Sequence, residues 1–589
     1  MNVIGLNAFH GDSSACLLVD GNMVAAAEEE RFRRIKHWAG FPSEAIKFCL
    51  DSQGLTLSDI GIIAINSDAK AARAQKVKFL LSGQASLALI SEKLKVRKKR
   101  KSIEQYLEEY FPKQVFSGKI EYVEHHKAHL SSAYSVSPYD SSSIISVDGF
   151  GDFASSAMAL GKGGLIDIHK RIYFPHSLGV FYQALTQFLG FPYYGDEYKI
   201  MGLAPYGEPK YRDEMDEIVN QQLDGSFKLN LRYFLHHKRP IGYEWDDGVP
   251  LVGQLFHPSL EDLFGVPRKP DQKLTQKHKD IARSVQDCYE RAFFHMLNSL
   301  HEKHKSELGE NHDVLTIAGG CGMNSVANGK VHLNTPYKNI YIQSAAGDAG
   351  GAIGAAMLVH QKFHSKESSK SVMSHSYWGP SFDNDHLKGV IEHYQEDLIS
   401  QGCDITFDLT TASLVDKVSD AIIDGQVIGW FQGAMEWGPR ALGNRSILGD
   451  PRRHDMKDIL NLKIKRRESF RPFAPSVLRE QVSDWFESDA EVPFMMKVFQ
   501  IKEDKRSQIP AVTHVDGSGR LQTVTEQSNK RYYQLIKSFF EKTQVPMLLN
   551  TSFNENEPVV CKPEEAMECF MRTSMDVLVL GSHLIIRGH

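Results

Sequence analysis

Two histidines and two aspartates are the residues of this chain whose types and spacing best suit the binding of a metal ion. His125 and His129 are four positions apart, so on a helix their rings would share one face. Asp148 follows the apolar run 144–147, and Asp348 lies in a Gly-rich turn before an Ala-rich segment. This N/O donor set suits Fe²⁺, Mn²⁺ or Zn²⁺ better than a soft metal. Taken alone, the histidine pair would also fit a polar surface patch.

A short polar loop near the start of the chain offers acid and base groups. The loop 10–14 separates two apolar runs, and the Asp-Gly turn at 20–21 predicts a hairpin after it. Asp12 and His10 in this loop are candidates for proton exchange with a substrate hydroxyl. A hydrogen bond that only stabilises the loop is the alternative role for His10.

Glycine-rich loops recur directly after apolar runs, as they do in phosphate-binding sites. They lie at 148–152, 319–324 and 347–351. Glycine lets backbone N–H groups approach an anion closely, and a helix that starts at the loop adds its positive dipole end. Each loop alone would fit an ordinary turn, but four of one kind, counting the loop 10–14, favour a nucleotide or phosphate ligand.

Arginine is concentrated in one stretch of the second half of the chain. The stretch 440–471 contains seven of them: Arg440, Arg445, Arg452, Arg453, Arg466, Arg467 and Arg471. Planar guanidinium groups suit polyphosphate and the charge of a transferring phosphoryl group. An exposed basic loop explains Arg452 and Arg453, whereas Arg440 and Arg471 lie among Gly, Pro, Phe and Leu, which favours a binding role.

Length and composition limit the class of protein that carries these residues. The 589 residues suffice for about three to five domains. With 42% hydrophobic and 24% charged residues, the chain is neither disordered nor fibrous. The net charge of −5 does not suit a protein that coats nucleic acid, and no apolar run approaches a membrane span of about 20 residues. The basic run 93–101 is interpreted as a solvated face, with a polyanion contact as the minor alternative.

Cysteine usage and the chain start indicate a cytoplasmic protein. There are seven cysteines and no CxxC pair, which favours free thiols in a reducing compartment. The first residues lack the basic and apolar regions of a signal peptide. The Ser/Lys-rich segment 365–375 is predicted to be a linker between a domain at 1–364 and a second domain at 376–589.

Several longer strings occur in a fixed order along the whole chain. They are EEERF at 28–32, EYKIMGLAPYG at 197–207, GPRALGNRSIL at 438–448, FRPFAP at 470–475, THVDG at 513–517 and NTSFN at 550–554. The HxxxH pair, GGxxxN and GDAGG resemble the universal threonylcarbamoyl-adenosine synthase domain of the actin-like superfamily. Together, the strings resemble the O-carbamoyltransferase family, whose known members decorate antibiotics and nodulation factors.

The resemblance implies an α/β protein with two active sites. Residues 1–364 are expected to form a duplicated actin-like ATPase-type domain, and residues 376–589 a smaller α/β domain that resembles the threonylcarbamoyl-adenylate synthase fold. The smaller domain would make carbamoyl adenylate from carbamoyl phosphate and ATP with Mg²⁺. The first domain would transfer the carbamoyl group to a hydroxyl of a small-molecule acceptor. Neither nucleic acid nor a membrane is an expected partner.

The resemblance also implies roles for individual residues. A divalent metal, Fe²⁺ by this resemblance, would be held by His125, His129, Asp148 and Asp348. Contacts to the adenylate are implied for Asp148, Ser177, Gly179, Gly320 and Asn324. Asp12 matches an acceptor-contacting position, and His10 is the other catalytic candidate. The KxR…SxN signature of the second domain matches Lys465, Arg467, Ser552 and Asn554, joined by Arg440 and Arg471. Lys463 is the alternative to Lys465.

One departure from the family pattern concerns the acceptor. The aminoglycoside-modifying relative has an acceptor-binding lysine where this chain has Ala39, so we expect a different acceptor or a different mode of binding. Trp38 beside it would be either a flat acceptor surface or a core residue. The alternatives to an O-carbamoyltransferase are a protein-carbamoylating relative, which would need CxxC pairs, a threonylcarbamoyl-transferring relative, and a non-catalytic nucleotide-binding module.

Overall fold

The structure is a computed structural model that describes residues 1–82, 101–239, 248–363, 371–465, 468 and 470–588. Arg467, the basic run except Lys101, and residues 365–370 of the predicted linker lie outside the described residues. The chain folds as two compact units, Met1–Met373 and Ser374–His589. The linker itself stays a prediction. Within the described ranges, no helix is both long and apolar enough to cross a membrane.

Among the described residues, the first unit begins with a five-stranded mixed sheet in the order β3-β2-β1-β4-β5. Its strands are β1 (Asn2–Asn7), β2 (Ser14–Val19), β3 (Asn22–Glu28), β4 (Ile60–Ile65) and β5 (Lys119–Tyr122). The first three are antiparallel, whereas β4 and β5 continue parallel to β1. The predicted hairpin turn is confirmed, because Asp20 and Gly21 both have the left-handed φ values, +48° and +84°, that a tight hairpin needs.

A second sheet in the same unit repeats this plan. It is formed by β6 (Ser141–Gly151), β7 (Ala154–Lys162) and β8 (Leu165–Tyr173), followed, after a small hairpin of β9 (Val219–Gln221) and β10 (Phe227–Leu229), by β11 (Val314–Ala318) and β12 (Asn339–Tyr341). Its order is β8-β7-β6-β11-β12, with three antiparallel strands and then two strands parallel to β6. The repeated sheet confirms the predicted duplicated α/β architecture of the actin-like type.

Helices cover the two sheets of the first unit. In the described ranges they are α1 (Glu30–Arg33), α2 (Ser43–Asp51), α3 (Arg73–Leu81), α4 (Ile103–Tyr110), α5 (His125–Tyr134), α6 (Leu178–Phe188), α7 (Glu197–Leu203), α8 (Arg212–Ile218), α9 (Glu261–Phe264), α10 (Gln276–Leu308), α11 (Ser325–Asn334) and α12 (Gly351–Phe363). Between Asp280 and Leu300, helix α10 is buried except for partly exposed residues at about every fourth position, among them Arg283, Asp287, Arg291 and His295, which is the pattern of an amphipathic helix with one face toward the surface.

Helix α12 packs closely against α5, the helix that begins at His125. The start of α12 has the sequence GAIGAA, and all six residues are buried. A methyl group on Gly354 would overlap the backbone carbonyl oxygen of Ala128 in α5, so only glycine permits this approach. The position of α5 therefore depends on the small residues of α12.

The second unit is built on a mixed sheet that has nine strands among the described residues. The order is β13-β21-β20-β14-β15-β19-β16-β18-β17. The strands are β13 (Cys403–Thr406), β14 (Ile428–Phe431), β15 (Arg445–Gly449), β16 (Ala474–Leu478), β17 (Lys497–Gln500), β18 (Ser518–Val524), β19 (Met547–Ser552), β20 (Val577–Leu580) and β21 (His583–Arg587). This sheet agrees with the predicted α/β class of the second domain.

Helices flank this sheet and enclose one continuous apolar core. They are α13 (Asn384–His393), α14 (Gln395–Ser400), α15 (Thr411–Ile423), α16 (Met456–Leu460), α17 (Val482–Trp485), α18 (Glu503–Arg506), α19 (Lys530–Thr543) and α20 (Pro563–Arg572). A π-helical turn, Asn461–Lys465, continues α16. A turn of this type inside a helix often marks a functional site.

Arg445 is a buried cation of the second unit. Its Nη1 donates hydrogen bonds to the carbonyl oxygens of Gln432 and Asn444 at 2.6 and 3.0 Å, and its Nη2 donates to that of Pro380 at 3.1 Å. Its guanidinium lies 3.6 Å from the centre of the Phe431 ring. Burial lowers the pKa of Arg445 to about 10. Arg445 therefore holds loops together inside the core.

Replacing Gly354 with Ala should destabilise the first unit by about 1–3 kcal/mol, because the added methyl group overlaps the backbone of α5. Calorimetry of the full chain would measure this as a lower unfolding midpoint. The matched control is Gly389→Ala in α13, where the new methyl group meets open space. Because alanine is the better helix former by up to about 1 kcal/mol, this variant should be neutral or slightly stabilised. Equal midpoints for the two variants would contradict the packing argument.

Candidate functional site

The two candidate metal histidines stand in the first two turns of α5, which begins at His125. The side chain of Glu124 caps this turn by accepting hydrogen bonds from the backbone N–H groups of His126 and Lys127. The backbone N–H of His125 donates to Asp152 Oδ2 at 2.9 Å. Two carboxylates therefore fix the helix start from which the histidine rings project.

The two aspartates come from irregular segments next to glycines. Asp148 lies inside β6, which continues to Gly151, so most of the glycine-rich loop predicted at 148–152 is strand. The pairing of β6 with β7 shifts between Val147 and Gly151, so Asp148 occupies an irregular part of the strand. Asp348 opens a single 3₁₀ turn, Asp348–Gly350, that leads into α12, in agreement with the predicted Gly-rich turn.

The four side chains converge on one point. The Nε2 atoms of His125 and His129 lie 2.9 Å apart. Asp148 Oδ2 lies 3.1 and 3.6 Å from these two nitrogens, and Asp348 Oδ1 lies 3.6 and 3.4 Å from them. The rings are fully buried, and the two carboxylate side chains are only 10 and 14% exposed. We call these four residues the His/Asp cluster.

The His/Asp cluster fits a divalent cation. Ligand atoms that bind one ion at about 2.0–2.2 Å are separated by roughly 3.0–3.5 Å, close to the spacings found here. Asp348 Oδ1 is buried and accepts no hydrogen bond from the described residues. A buried carboxylate oxygen without a donor, aimed at two imidazole nitrogens, is stabilised by a cation between them. The cluster contains nitrogen and oxygen donors only, as the sequence predicted.

The charges of the cluster compensate one another. Burial lowers the pKa of His129, but the nearby carboxylates of Asp148 and Asp348 raise it to about 9. The pKa of His125 is also raised, because its bond to Asp148 and the two carboxylates outweigh burial and repulsion from His129. Burial and the charge of Asp148 raise the pKa of Asp348, whereas the two histidines hold that of Asp148 well below its usual range. A bound divalent cation would replace the imidazole protons.

His126, between His125 and His129 in sequence, points away from the cluster. Its Nδ1 lies 2.7 Å from Ser146 Oγ. Burial lowers the pKa of His126 to about 4, so this ring is neutral. His126 is therefore a buried structural residue, and it provides a control for the neighbouring pair.

Three of the residues implied as adenylate contacts are gathered around Asp148. The backbone N–H of Gly320 donates to Asp148 Oδ1 at 2.9 Å. A Cβ on Gly179 would lie 2.8 Å from the carbonyl oxygen of Asp148, so glycine permits this close approach. Ser177 Oγ donates to the same carbonyl at 3.0 Å and caps α6 through the N–H of Val180. Their contact with an adenylate stays a prediction.

Asn324, the fourth such residue, is engaged within the protein. Its side-chain amide exchanges two hydrogen bonds with Gln286, at 3.0 and 3.1 Å. Its Oδ1 also accepts from the N–H of Ala327 and so caps α11. Asn324 thus fixes the loop that follows Gly320 onto the long helix α10.

The first loop lies beside the cluster and pairs with a histidine that the sequence analysis missed. The His10 and His125 rings are 5.4 Å apart. Asp12 Oδ1 lies 2.8 Å from Nδ1 of His37. No spacing rule connects residues 25 positions apart in different loops, and the only signal for His37 is its place shortly after the EEERF string. Trp38 is 7% exposed, so it is a core residue and not an acceptor surface.

In the second unit, Lys465 joins Ser552 and Asn554. Lys465 Nζ donates to the carbonyl oxygens of Ser552 and Asn554 at 2.6 and 2.7 Å, and to Asn554 Oδ1 at 2.6 Å. Only 2% of Lys465 is exposed. Lys463, the alternative, forms an ion pair with Asp576 at 2.6 Å instead. The spacing argument in favour of Lys465 therefore agrees with its contacts.

The predicted arginines of the second unit occupy several environments. Arg440 is half-buried in the loop between β14 and β15, and Arg471 is half-buried just before β16, 3.8 Å from Glu468. Arg467 lies outside the described residues. Arg452 pairs with the buried Asp450 at 2.7 Å, and Arg453 pairs with the exposed Asp455 at 2.6 Å, so these two partly exposed arginines are held by neighbouring carboxylates.

Comparisons with known proteins agree over most of the chain. Residues 2–357 match the family model described as Carbamoyltransferase N-terminus, and residues 419–587 match Carbamoyltransferase C-terminus. The chain is 40% identical to the uncharacterized protein sll1178 of Synechocystis sp., over 100% of this chain and 97% of that protein. It is 37% identical to the nodulation protein NolNO of Sinorhizobium fredii, over 98% of this chain and 79% of NolNO.

A third relative has a named activity. The 3'-hydroxymethylcephem-O-carbamoyltransferase of Amycolatopsis lactamdurans is 33% identical over 41% of this chain and 42% of the relative. The matched family models together span both compact units, and the predicted resemblance to O-carbamoyltransferases is confirmed. This chain therefore belongs to the carbamoyltransferase family and is a carbamoyltransferase.

Proposed function

We propose that this chain is an ATP-dependent O-carbamoyltransferase, in which the second unit makes carbamoyl adenylate and the first unit transfers its carbamoyl group to a hydroxyl. The observation that carries the proposal is the buried convergence of four N/O donors in the His/Asp cluster. The N–H of Gly320 points at a carboxylate of the same cluster. A metal centre beside a Gly-rich loop suits an anionic acyl donor.

The reaction of the second unit would consume carbamoyl phosphate, ATP and water. Hydrolysis of carbamoyl phosphate releases phosphate, and an oxygen of the resulting carbamate then bonds to the α-phosphorus of ATP as pyrophosphate leaves. Lys465 brings a buried positive charge to the end of β19. Arg440 and Arg471 would add guanidinium groups, which bind phosphate oxygens in pairs.

The reaction of the first unit would be attack on the carbonyl carbon of carbamoyl adenylate by the acceptor oxygen. The acceptor proton passes to Asp12, the new C–O bond forms, and AMP leaves with the electron pair of the bond to its phosphate. His10, whose ring lies beside that of His125, is the second acid/base candidate. A divalent cation held by the cluster, Fe²⁺ by family resemblance, would supply Lewis-acid polarisation.

The acceptor is proposed to be a small-molecule alcohol. The printed name of the Amycolatopsis relative describes transfer to a hydroxymethyl group of a cephem, which supports this class. A secondary metabolite or a sugar-containing compound, as in antibiotic biosynthesis, fits the proposal. ATP and carbamoyl phosphate are cytoplasmic metabolites, which supports a cytoplasmic site of action.

A panel of hydroxylated metabolites should contain at least one compound that gains one carbamoyl group. Purified protein would be incubated with carbamoyl phosphate, ATP, Mg²⁺ and the panel, and the products measured by mass spectrometry. Omission of either carbamoyl phosphate or ATP should abolish the product. Failure to form AMP with both substrates present would overturn the adenylate route.

Replacing Lys465 with Met should slow formation of carbamoyl adenylate by about 100-fold or more, because a buried charge is lost where phosphate charge must be stabilised. Pyrophosphate release that depends on carbamoyl phosphate measures this step. Lys463→Met, two positions away, removes only the ion pair with Asp576 and should keep most of the activity. If both variants lost activity equally, Lys465 would have no special role.

Replacing His129 with Ala should remove the bound metal while sparing pyrophosphate release. The wild-type chain should hold about one transition-metal ion per molecule, measured by plasma mass spectrometry after dialysis. The control is His126→Gln, which alters a buried ring of the same helix that faces Ser146. This variant should lose stability, by about 1–2 kcal/mol, but keep its metal. Loss of metal in both variants would contradict a site built on His129.

A further inference from the structure

Asp12 and His37 form a hydrogen-bonded pair between two loops that both carry left-handed backbone. Asp12 Oδ1 and His37 Nδ1 are 2.8 Å apart, and the side chains are 33 and 31% exposed. The φ values are +56° for Asp12 and +54° for His37, a left-handed region that Asp and His adopt more often than most other non-glycine residues. A partly exposed ion pair contributes little to stability. A pair held between two such loops beside the His/Asp cluster points to a functional constraint.

The two loops are joined firmly by backbone hydrogen bonds. The N–H of Ser13 donates to the carbonyl of Trp38, and that of Phe9 donates to the carbonyl of Gly40, both at 2.9 Å. Ser13 Oγ also donates to the Gly40 carbonyl at 3.0 Å. The positions of Asp12 and His37 relative to each other are therefore set by the backbone on both sides of the pair.

The ring of His37 is enclosed by a third segment. The Tyr194 ring meets it edge-on at 5.3 Å. Gly195 has φ +85°, and a methyl group there would overlap His37 Nε2. The backbone N–H of His37 donates to Glu30 Oε2 at 2.8 Å. The ring therefore has a defined place, and its Nδ1 faces Asp12.

The charges around His37 make its ring a hydrogen-bond donor. Burial lowers the pKa of His37, but Asp12, followed by Glu30 and Glu197, raises it to about 9. The Tyr194 side chain also faces the ring. A protonated imidazole carries hydrogen on both nitrogens, so Nδ1 donates a charge-assisted bond to Asp12 Oδ1. The cation has no lone pair left to accept a proton, so it is not the base itself.

The pair lies next to the His/Asp cluster. Tyr194, whose ring meets that of His37, lies against the first loop, because a Cβ on Gly11 would be 2.5 Å from the Tyr194 hydroxyl. The His10 ring of the same loop lies 5.4 Å from the His125 ring of the cluster. Burial and the charges of Asp348, Asp12 and Asp148 raise the pKa of Tyr194. The partly exposed Asp12 is thus open to an acceptor on one side and near the proposed carbamoyl donor on the other.

We propose that His37 is a positioning residue for acceptor activation, which holds Asp12 Oδ1 so that Oδ2 is directed to the acceptor hydroxyl. This inference rests on the proposed function. In the step it serves, the acceptor O–H bond breaks and its proton goes to Asp12 Oδ2. The acceptor oxygen bonds to the carbonyl carbon, and AMP leaves with the electrons of the broken C–O bond.

The test compares two variants that both tolerate the left-handed backbone at position 37. His37→Gly removes the ring without backbone strain, and His37→Asn keeps a donor close to the place of Nδ1. The control, Asp20→Gly, puts glycine at another exposed left-handed position, in the β2–β3 turn. Transfer would be measured with whichever compound of the hydroxyl panel wild-type protein carbamoylates fastest, and pyrophosphate release would report the second unit.

We expect His37→Gly to lower kcat for transfer by about 10- to 100-fold with less than about threefold change in KM for the acceptor, because a general base is misplaced and not removed. The loss of kcat in His37→Asn, expressed as a logarithm, should be at most half of the loss in His37→Gly. Asp20→Gly should match the wild type, and all variants should release pyrophosphate normally. Wild-type transfer by His37→Gly, or no difference between Gly and Asn at position 37, would overturn the inference.

A second readout separates this inference from the proposed function. If wild-type protein carbamoylates no compound, the proposed function fails, and the pair is then judged by nitrogen NMR of labelled imidazole rings. The His37 signal, assigned by its absence in His37→Asn, should be that of a protonated ring at pH 8 in the wild type and of a neutral ring in Asp12→Asn. An unchanged signal in Asp12→Asn would show that Asp12 does not keep the His37 ring protonated, and would contradict the pairing of the two residues.

Discussion

Two imidazoles and two carboxylates that meet in a buried place are the constraint on which the first unit depends. Removing these groups from water is costly unless opposite charge compensates for it. The protein meets this need with three elements held in fixed relation. Helix α5 supplies the histidines, the irregular part of β6 supplies Asp148, and the turn before α12 supplies Asp348. The glycine at 354 lets α12 approach α5, so the same helix that follows Asp348 also sets the position of the histidines.

Much of this arrangement could be predicted from the sequence because its signals are local. The i, i+4 spacing of His125 and His129 and the Gly-rich turn at Asp348 need only a helix and a turn. The place of Asp148 inside a strand was not predictable, since the shift in pairing arises from the partner strand β7. His37 was missed for a related reason: its contact with Asp12 is made across two loops. The choice of Lys465 over Lys463, by contrast, rested on spacing alone and agrees with the contacts.

The second unit shows how one residue type serves different purposes in one segment. Arg445 donates to backbone carbonyls inside the core, Arg452 pairs with the buried Asp450, and Arg453 pairs with the exposed Asp455. The arginine content of the stretch 440–471 does not distinguish these three residues from Arg440 and Arg471. Only burial and partners show that Arg445 fixes loops. An abundance of arginine in the sequence is therefore weak evidence for anion binding until each member is placed in the structure.

The two sheets of the first unit share one strand order, but the segments that follow β1 and β6 differ. β1 and β6 hold equivalent positions in the two halves, and the segment after each contains left-handed residues, Asp12 in one half and Asp152 in the other. The first half places the partly exposed Asp12 in a loop beside the His/Asp cluster, and the second half anchors the start of α5 through Asp152. The same position of the repeated sheet thus carries an open carboxylate in one half and a helix anchor in the other.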